Sequence, residues 1–252
     1  MSLFKPTFWQ IPLVSLDVQE RLAEKTATLK QRLHQIADSH HNARFASSLA
    51  VEDMVITDVI ARENLDIGIF TLDTGLLHQD TLNLLDNLEK VYPHLQIERF
   101  QPIADEVTRY EEEKGKFAFY ESVELRRECC HIRKIEPLNR AIQGADAWLT
   151  GQRREQSATR TALPFAEQDQ SRGIDKYNPI FDWSETDVWA YILANNVPYN
   201  DLYHQGFPSI GCEPCTRQVK QGEDIRAGRW WWESKDSKEC GLHKLKNIGS
   251  KT

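Results

Sequence analysis

Short apolar runs alternate with helical repeats from about residue 44 to residue 150, and this alternation leaves the chain few folds to choose from. The runs are 44–49 (RFASSL), 67–72 (IGIFTL), 95–100 (LQIERF) and 146–150 (DAWLT). Helical spacing is predicted over about 52–63, 79–92 and 120–143, with an amphipathic helix ahead of them at 16–39 carried by Leu16, Leu22, Ala23, Leu29, Leu33 and Ile36. Strand, helix, strand in this order gives an α/β fold: a mostly parallel twisted sheet with helices on both faces. Sheets of this kind bind ligands beyond the C-terminal ends of their strands. Three polar loops, 47–53, 73–80 and 151–162, fall at such ends. After residue 164 Pro, Gly, Trp and charged residues dominate, with one clear helix at 184–195. That part is predicted to be a C-terminal extension. The expected organisation is a helical segment over 1–42, an α/β domain over 43–233 and a mobile tail over 234–252.

The five cysteines come next, and reading them needs a compartment. No apolar run approaches the roughly 20 residues of a membrane span. The start, MSLFKPTFWQIPLV, lacks the basic opening, apolar core and cleavage site of a signal peptide. A cytoplasmic, reducing location and no membrane partner are therefore expected, and the cysteines read as metal ligands or catalysts rather than disulfides. The formal charge of −7 disfavours nucleic acid as a partner. Local basic clusters run against it: Arg153, Arg154 and Arg160, then Arg226 and Arg229 before Trp230-Trp231-Trp232. Basic clusters in an acidic chain suit a small anionic ligand.

The cysteines fall as Cys129-Cys130, Cys212-x-x-Cys215 and a single Cys240. Two pairs favour one four-thiolate site, which zinc or an iron–sulfur cluster would satisfy equally. Neighbours on a regular helix point about 100° apart, so Cys129 and Cys130 reach one centre only where the helix is distorted or ends. Cys240 lies among Lys235, Lys238, His243, Lys244 and Lys246, cations that favour a thiolate, with Glu239 opposing. The plain alternative is an exposed cysteine in a lysine-rich tail. Ser47 and Ser48 open a helix where hydroxyls and free N–H groups suit a phosphate, or serve as an ordinary N-cap. Leu72-Asp73-Thr74-Gly75 is either a turn or part of the same site. Arg153, Arg154 and Arg160 either fork onto a phosphate or sulfate, or pair with Glu155. The three tryptophans read as anchors for the C-terminal segment.

Taken in order, Cys129-Cys130 with Ile132–Leu138, the Arg153–Arg160 segment, Ser209–Arg217, Arg226–Glu233 and Glu239–His243 resemble the assimilatory adenylyl-sulfate (APS) reductases of the PAPS/APS reductase family. The resemblance covers the chain from about residue 43 onward. It implies an adenine nucleotide alpha-hydrolase-like fold and a 4Fe-4S cluster on Cys129, Cys130, Cys212 and Cys215. It implies that Cys240, with His243 close by, attacks the sulfur of adenylyl sulfate, that AMP leaves, and that thioredoxin releases sulfite from the resulting S-sulfonate, a step of sulfate assimilation and cysteine biosynthesis. Lys134, Arg160, Arg226 and Arg229 match the family's cationic substrate contacts. Ser47, Ser48, Asp73, Thr74 and Gly75 would hold the adenosine and its phosphate, with Arg153 and Arg154 as further substrate contacts. Leu49, Ala50 and Leu76 depart from the common pattern of relatives. PAPS reductases share the tail motif but typically lack the two cysteine pairs, and tRNA thiolases want a Ser-Gly-Gly loop that 47–53 does not supply. A non-catalytic cluster sensor would have no need of Cys240. The sequence leaves the oligomeric state open, a homo-oligomer included.

Overall fold

The four expected runs form β1 (Ala43–Ala46), β2 (Gly68–Leu72), β3 (Ile97–Phe100) and β4 (Ala147–Leu149) in a computed structural model that describes residues 7–156 and 160–234. All four are parallel, with Phe45 opposite both Ile69 and Leu149, and Ile69 opposite Ile97. Two further strands, β5 (Ala166–Asp169) and β6 (Ile174–Tyr177), extend the sheet to the order β3-β2-β1-β4-β6-β5. β6 runs parallel to β4, and β5 closes the edge antiparallel to β6.

These last two strands fall after residue 164, where no strand was expected, and within the 43–233 expected for the α/β domain. Their sequences, AEQD and IDKY, are polar and carry no apolar alternation. Backbone pairing and a tight turn hold them instead: Gly173 takes a left-handed φ of 72°, and its N–H reaches the Asp169 carbonyl at 2.7 Å.

The helices are α1 (Leu16–Ser39), α2 (Val51–Glu63), α3 (Gln79–Val91), α4 (Ala104–Lys114), α5 (Val123–Cys130), α6 (Glu136–Ala141) and α7 (Glu185–Asn195). α4 went unpredicted because its sequence, ADEVTRYEEEK, is solvated nearly all round and buries only Tyr110. The expected 120–143 helix is split. α5 ends at Cys130, a π-helical turn occupies His131–Ile135, and α6 follows.

Successive strand residues face opposite ways, and both faces are covered. On one, Phe45, Ile69 and Leu149 pack with Val55 and Val59 of α2, Leu84 and Leu88 of α3, Leu29 and Leu33 of α1, and Val188 and Ile192 of α7. On the other, Phe70 and Trp148 pack with Leu138, Ala141 and Ile142. Asp58 of α2 is a fully buried carboxylate beside this core. It accepts from Tyr92 Oη at 2.6 Å, Tyr191 Oη at 2.8 Å and Arg62 Nε at 2.8 Å, so its lone pairs are satisfied across three elements. Among the described residues no helix is long and apolar enough to cross a membrane.

Candidate functional site

A cavity of about 250 Å³ opens beyond the C-terminal ends of β1, β2 and β4. Its floor begins at Ser47 and Ser48. Neither serine caps α2; the N-cap position is Ala50, without a side-chain hydrogen bond, and Leu49 takes a left-handed φ of 60°. The loop is shaped from within the helix. Asp53 Oδ2 accepts from Ser48 N at 2.7 Å and Ser48 Oγ at 2.6 Å. Burial pushes the Asp53 carboxyl up to about 7; the Ser48 hydrogen bonds oppose the shift and the neighbouring Glu52 charge adds to it. Gly151, at the end of β4, lies so close that a Cβ there would sit 2.0 Å from Asp53 Oδ1. Asp53 therefore ties the β1 loop to the β4 loop, and only glycine permits the approach.

The β2 loop closes another side. Thr74 lines the cavity. Asp73 and Gly75 lie just behind it and shape the turn: Asp73 accepts from Gly75 N at 3.0 Å and from Gln101 Nε2 at 2.7 Å, while Gly75 supplies a φ of 71°. This loop is tied to the Cys-x-x-Cys segment. Glu213 N donates to the Leu76 carbonyl at 2.7 Å, and Thr74 Oγ1 lies 3.3 Å from Cys212 Sγ.

Cys129, Cys212 and Cys215 share one buried cluster with Tyr110, Phe119 and Trp230, and Cys130 is buried beside them at the end of α5. Regular helix ends at Cys130, and a π-helical turn begins at His131. The same turn sends Lys134 to the cavity and Arg133 to the Thr74 carbonyl at 2.8 Å and Glu111 at 2.7 Å. Burial pushes the Cys129 thiol up to about 11 and Cys215 up to about 12. The charge of Cys212 adds to both shifts; Lys134 opposes both, joined by Arg133 at Cys129 and by Arg229 at Cys215. No group of three or more His, Cys, Asp or Glu side chains among the described residues is spaced to grip a single metal ion. The donor chemistry would suit a thiolate-held cluster: four buried cysteines, three of them in one packed cluster, with cations and a hydroxyl near them.

Arg160, Arg226 and Arg229 line the cavity with Lys134. Arg229 is 8% exposed, donates from Nη1 to the Ile210 carbonyl at 2.9 Å, and lies 4.9 Å over the Trp230 ring. Its buried Nε has no hydrogen-bond partner among the described residues. Gly211 makes room for it, since a Cβ there would meet the guanidinium at 2.3 Å. Arg126 also lies 4.5 Å over the Trp230 ring, and the tryptophan is 1% exposed, so it packs as an anchor.

Arg153 and Arg154 do not reach the cavity as anion forks. Arg153 is buried, donating to Glu52 at 2.8 Å and to the Trp183 carbonyl at 3.2 Å. Arg154 donates to the Leu163 carbonyl at 2.8 Å and stacks 4.5 Å over Phe181. A buried guanidinium satisfies itself on the nearest carboxylate, and an exposed one on the nearest ring and carbonyl. Cys240 and His243, and with them the tail expected over 234–252 apart from Ser234, lie outside the described residues. The sequence reading passed over Glu52, Asp53, Gln152 and Gln156, all of which line the cavity. Asp53 had one signal, an acid in the first turn of a helix; the glutamines had none.

A mostly parallel α/β sheet with a cation-lined cavity at its strand ends defines an adenine nucleotide alpha-hydrolase-like protein, and solved structures share that fold. A Candida glabrata FMN adenylyltransferase aligns with a TM-score of 0.58 at 14% identity, over 96% of this chain and 81% of that one. A phosphoadenylyl-sulfate (PAPS) reductase from Candida auris aligns with a TM-score of 0.66 at 27% identity, over 83% of this chain and all of that one. Residues 42–218 match the model of the phosphoadenosine phosphosulfate reductase domain. An adenosine 5′-phosphosulfate reductase of Neisseria meningitidis serogroup A is 77% identical over 97% of this chain and 100% of its own length. One from Allochromatium vinosum is 49% identical over 92% of this chain and 90% of its own length. The chain belongs to the PAPS/APS reductase family.

Proposed function

We propose that this protein reduces adenylyl sulfate to sulfite and AMP, with thioredoxin as reductant. The observation that carries the reading is the convergence of Lys134, Arg160, Arg226 and Arg229 on one strand-end cavity that also includes Cys212 of the buried cysteine set. A mixed anhydride of phosphate and sulfate is a dianion. A thiolate approaches it only where cations offset the repulsion and the charge developing on the leaving phosphate.

In this reading the Cys240 thiolate attacks the sulfur of the sulfuryl group. The bond from sulfur to the bridging oxygen breaks, AMP leaves with that electron pair, and Cys240 carries an S-sulfonate. A thioredoxin thiolate then attacks Cys240 Sγ and expels sulfite. The second thioredoxin thiol resolves the mixed disulfide, so the two electrons come from the dithiol. His243, three residues further along the sequence, would exchange its proton. Ser47, Ser48 and Thr74 line the part of the cavity at the β1 and β2 ends and would receive the nucleotide phosphate. Cys129, Cys130, Cys212 and Cys215 would hold a 4Fe-4S cluster, which would act electrostatically and as an organiser of the site, the electrons coming from the dithiol. The identity of relatives named adenosine 5′-phosphosulfate reductase supports adenylyl sulfate over its 3′-phosphorylated analogue.

The test is intact mass after anaerobic incubation with APS, and separately with PAPS, with no reductant. A sulfonate adduct from APS and not PAPS, absent in Cys240→Ser, is expected. An adduct from PAPS alone overturns the substrate, and no adduct from either overturns the reductase reading.

A further inference from the structure

The loop after β4 is held from several sides. Thr150 Oγ1 donates to Asn178 Oδ1 at 2.7 Å and accepts from Gln152 N at 3.3 Å. Asn178 is fully buried and donates in turn to the Pro164 carbonyl at 3.0 Å. Gly151 lies against Asp53. Arg153 and Gln156 both donate to Glu52 Oε1, at 2.8 Å and 3.0 Å. Gln152 departs from this pattern. It lines the cavity and is 6% exposed, yet its Oε1 is buried with no hydrogen-bond partner among the described residues. An unpaired buried acceptor is costly, and native proteins leave few of them. On a cavity wall such an atom marks where a ligand completes the bonding. The loop fixes the Gln152 backbone, while the terminal amide torsion is broad, so the amide can turn toward a ligand at little cost.

We propose that Gln152 is a specificity-determining residue whose side chain accepts a hydrogen bond from the nucleoside half of the substrate. The unpaired atom is an acceptor, and that decides which half it serves. The ionised phosphosulfate offers acceptor oxygens only, which suit cationic donors. The donors of adenylyl sulfate all lie in its nucleoside: the adenine 6-amino group and the two ribose hydroxyls. A glutamine amide matches either. It pairs with adenine by accepting from the 6-amino group while Nε2 donates to a ring nitrogen, and it accepts from a hydroxyl through a single bond. This inference rests on the proposed reading of the cavity as an adenylyl-sulfate site.

The test is the affinity of the full-length chain, kept anaerobic, for AMP, measured by calorimetry. AMP carries the whole nucleoside and cannot turn over. Gln152→Met, similar in length and without the amide, is expected to weaken AMP about fivefold. Three analogues locate the bond: purine riboside 5′-monophosphate, which lacks the 6-amino group, and the 2′-deoxy and 3′-deoxy forms of AMP. The native chain is expected to bind the analogue missing the contacted donor about fivefold more weakly than AMP. In Gln152→Met that analogue and AMP are expected to bind within twofold of each other. Loss with the purine riboside assigns the bond to the base, and loss with a deoxy form assigns it to the ribose. Unchanged AMP affinity in Gln152→Met, or the same three analogue ratios in both chains, overturns the proposal and leaves the site reading intact. The native chain alone decides if the variant folds poorly, because equal binding of AMP and all three analogues also overturns it. Absence of AMP binding to the native chain overturns the site reading together with the proposal.

Discussion

Asp53 is a carboxylate whose chemistry departs far from its ordinary behaviour. It is buried, accepts two hydrogen bonds from Ser48, and crowds against Gly151. Burial raises its pKa in the folded chain to about 7, from an ordinary value of 3.8. Below the lower value both folded and unfolded chains hold the proton, and nothing is lost. Between the two values the unfolded chain releases its proton first, so stability falls as pH rises, by about 1.4 kcal/mol per unit at most. Above the folded value the loss is complete. Asp53→Asn removes this titration and keeps an acceptor for Ser48. The urea midpoint of the native chain is expected to fall from pH 5 to pH 8 relative to that of Asp53→Asn, corresponding to about 2 to 3 kcal/mol. Parallel behaviour of the two chains over that range would show that Asp53 is ionised throughout. An acid in the first turn of α2 was legible in the sequence; its raised pKa was not, because burial is set by Gly151, a hundred residues away in the chain.

At the scale of elements, α7 was the most legible helix. Ser184-Glu185-Thr186-Asp187 forms a capping box: Ser184 Oγ accepts from Asp187 N at 3.0 Å, and Asp187 Oδ2 accepts from Ser184 N at 2.8 Å. Asp187 also pairs with Arg21 at 2.9 Å and Lys25 at 3.2 Å, so the cap docks α7 onto α1. Ser184→Ala is expected to cost about 1 kcal/mol and lower the thermal midpoint by about 2 to 4 °C, measured by calorimetry. An unchanged midpoint would mean that the α1 ion pairs alone hold the helix start. Other elements left little trace in sequence. α4 is solvated, β5 and β6 are polar edge strands, and the π-helical turn after Cys130 has the composition of ordinary helix. The paired cysteines could reach one centre only where the helix is distorted or ends, and α5 ends at Cys130.

At the scale of the molecule, α1 belongs to the same core as the sheet. Leu29, Leu33 and Ile36 are each 1% exposed or less and pack among residues of α2 and α7. Removing a buried leucine or isoleucine side chain costs about 2 to 5 kcal/mol, against a total stability of about 5 to 15 kcal/mol for a typical domain. A chain begun at residue 42 is therefore expected to lose cooperative unfolding, read by near-ultraviolet circular dichroism on heating. A sharp transition in that shortened chain would show that the sheet and its remaining helices suffice.

What the sequence determined by itself was local or chemical: the first four strands, the loops at their ends, the pairing of four cysteines, and the cations available to an anion. Those follow from period, composition and spacing, which neighbours along the chain control. Tertiary structure decided how those groups divide the labour. Arg153, Arg154 and Arg160 read alike as a basic cluster, yet one neutralises Glu52, one stacks on Phe181 and one lines the cavity. Likewise, only folding brings Gly151 against Asp53 and Gly211 against Arg229. The reason is that burial and charge pairing depend on contacts between distant segments, and identical side chains take different roles according to which carboxylate, ring or cavity the fold places within reach.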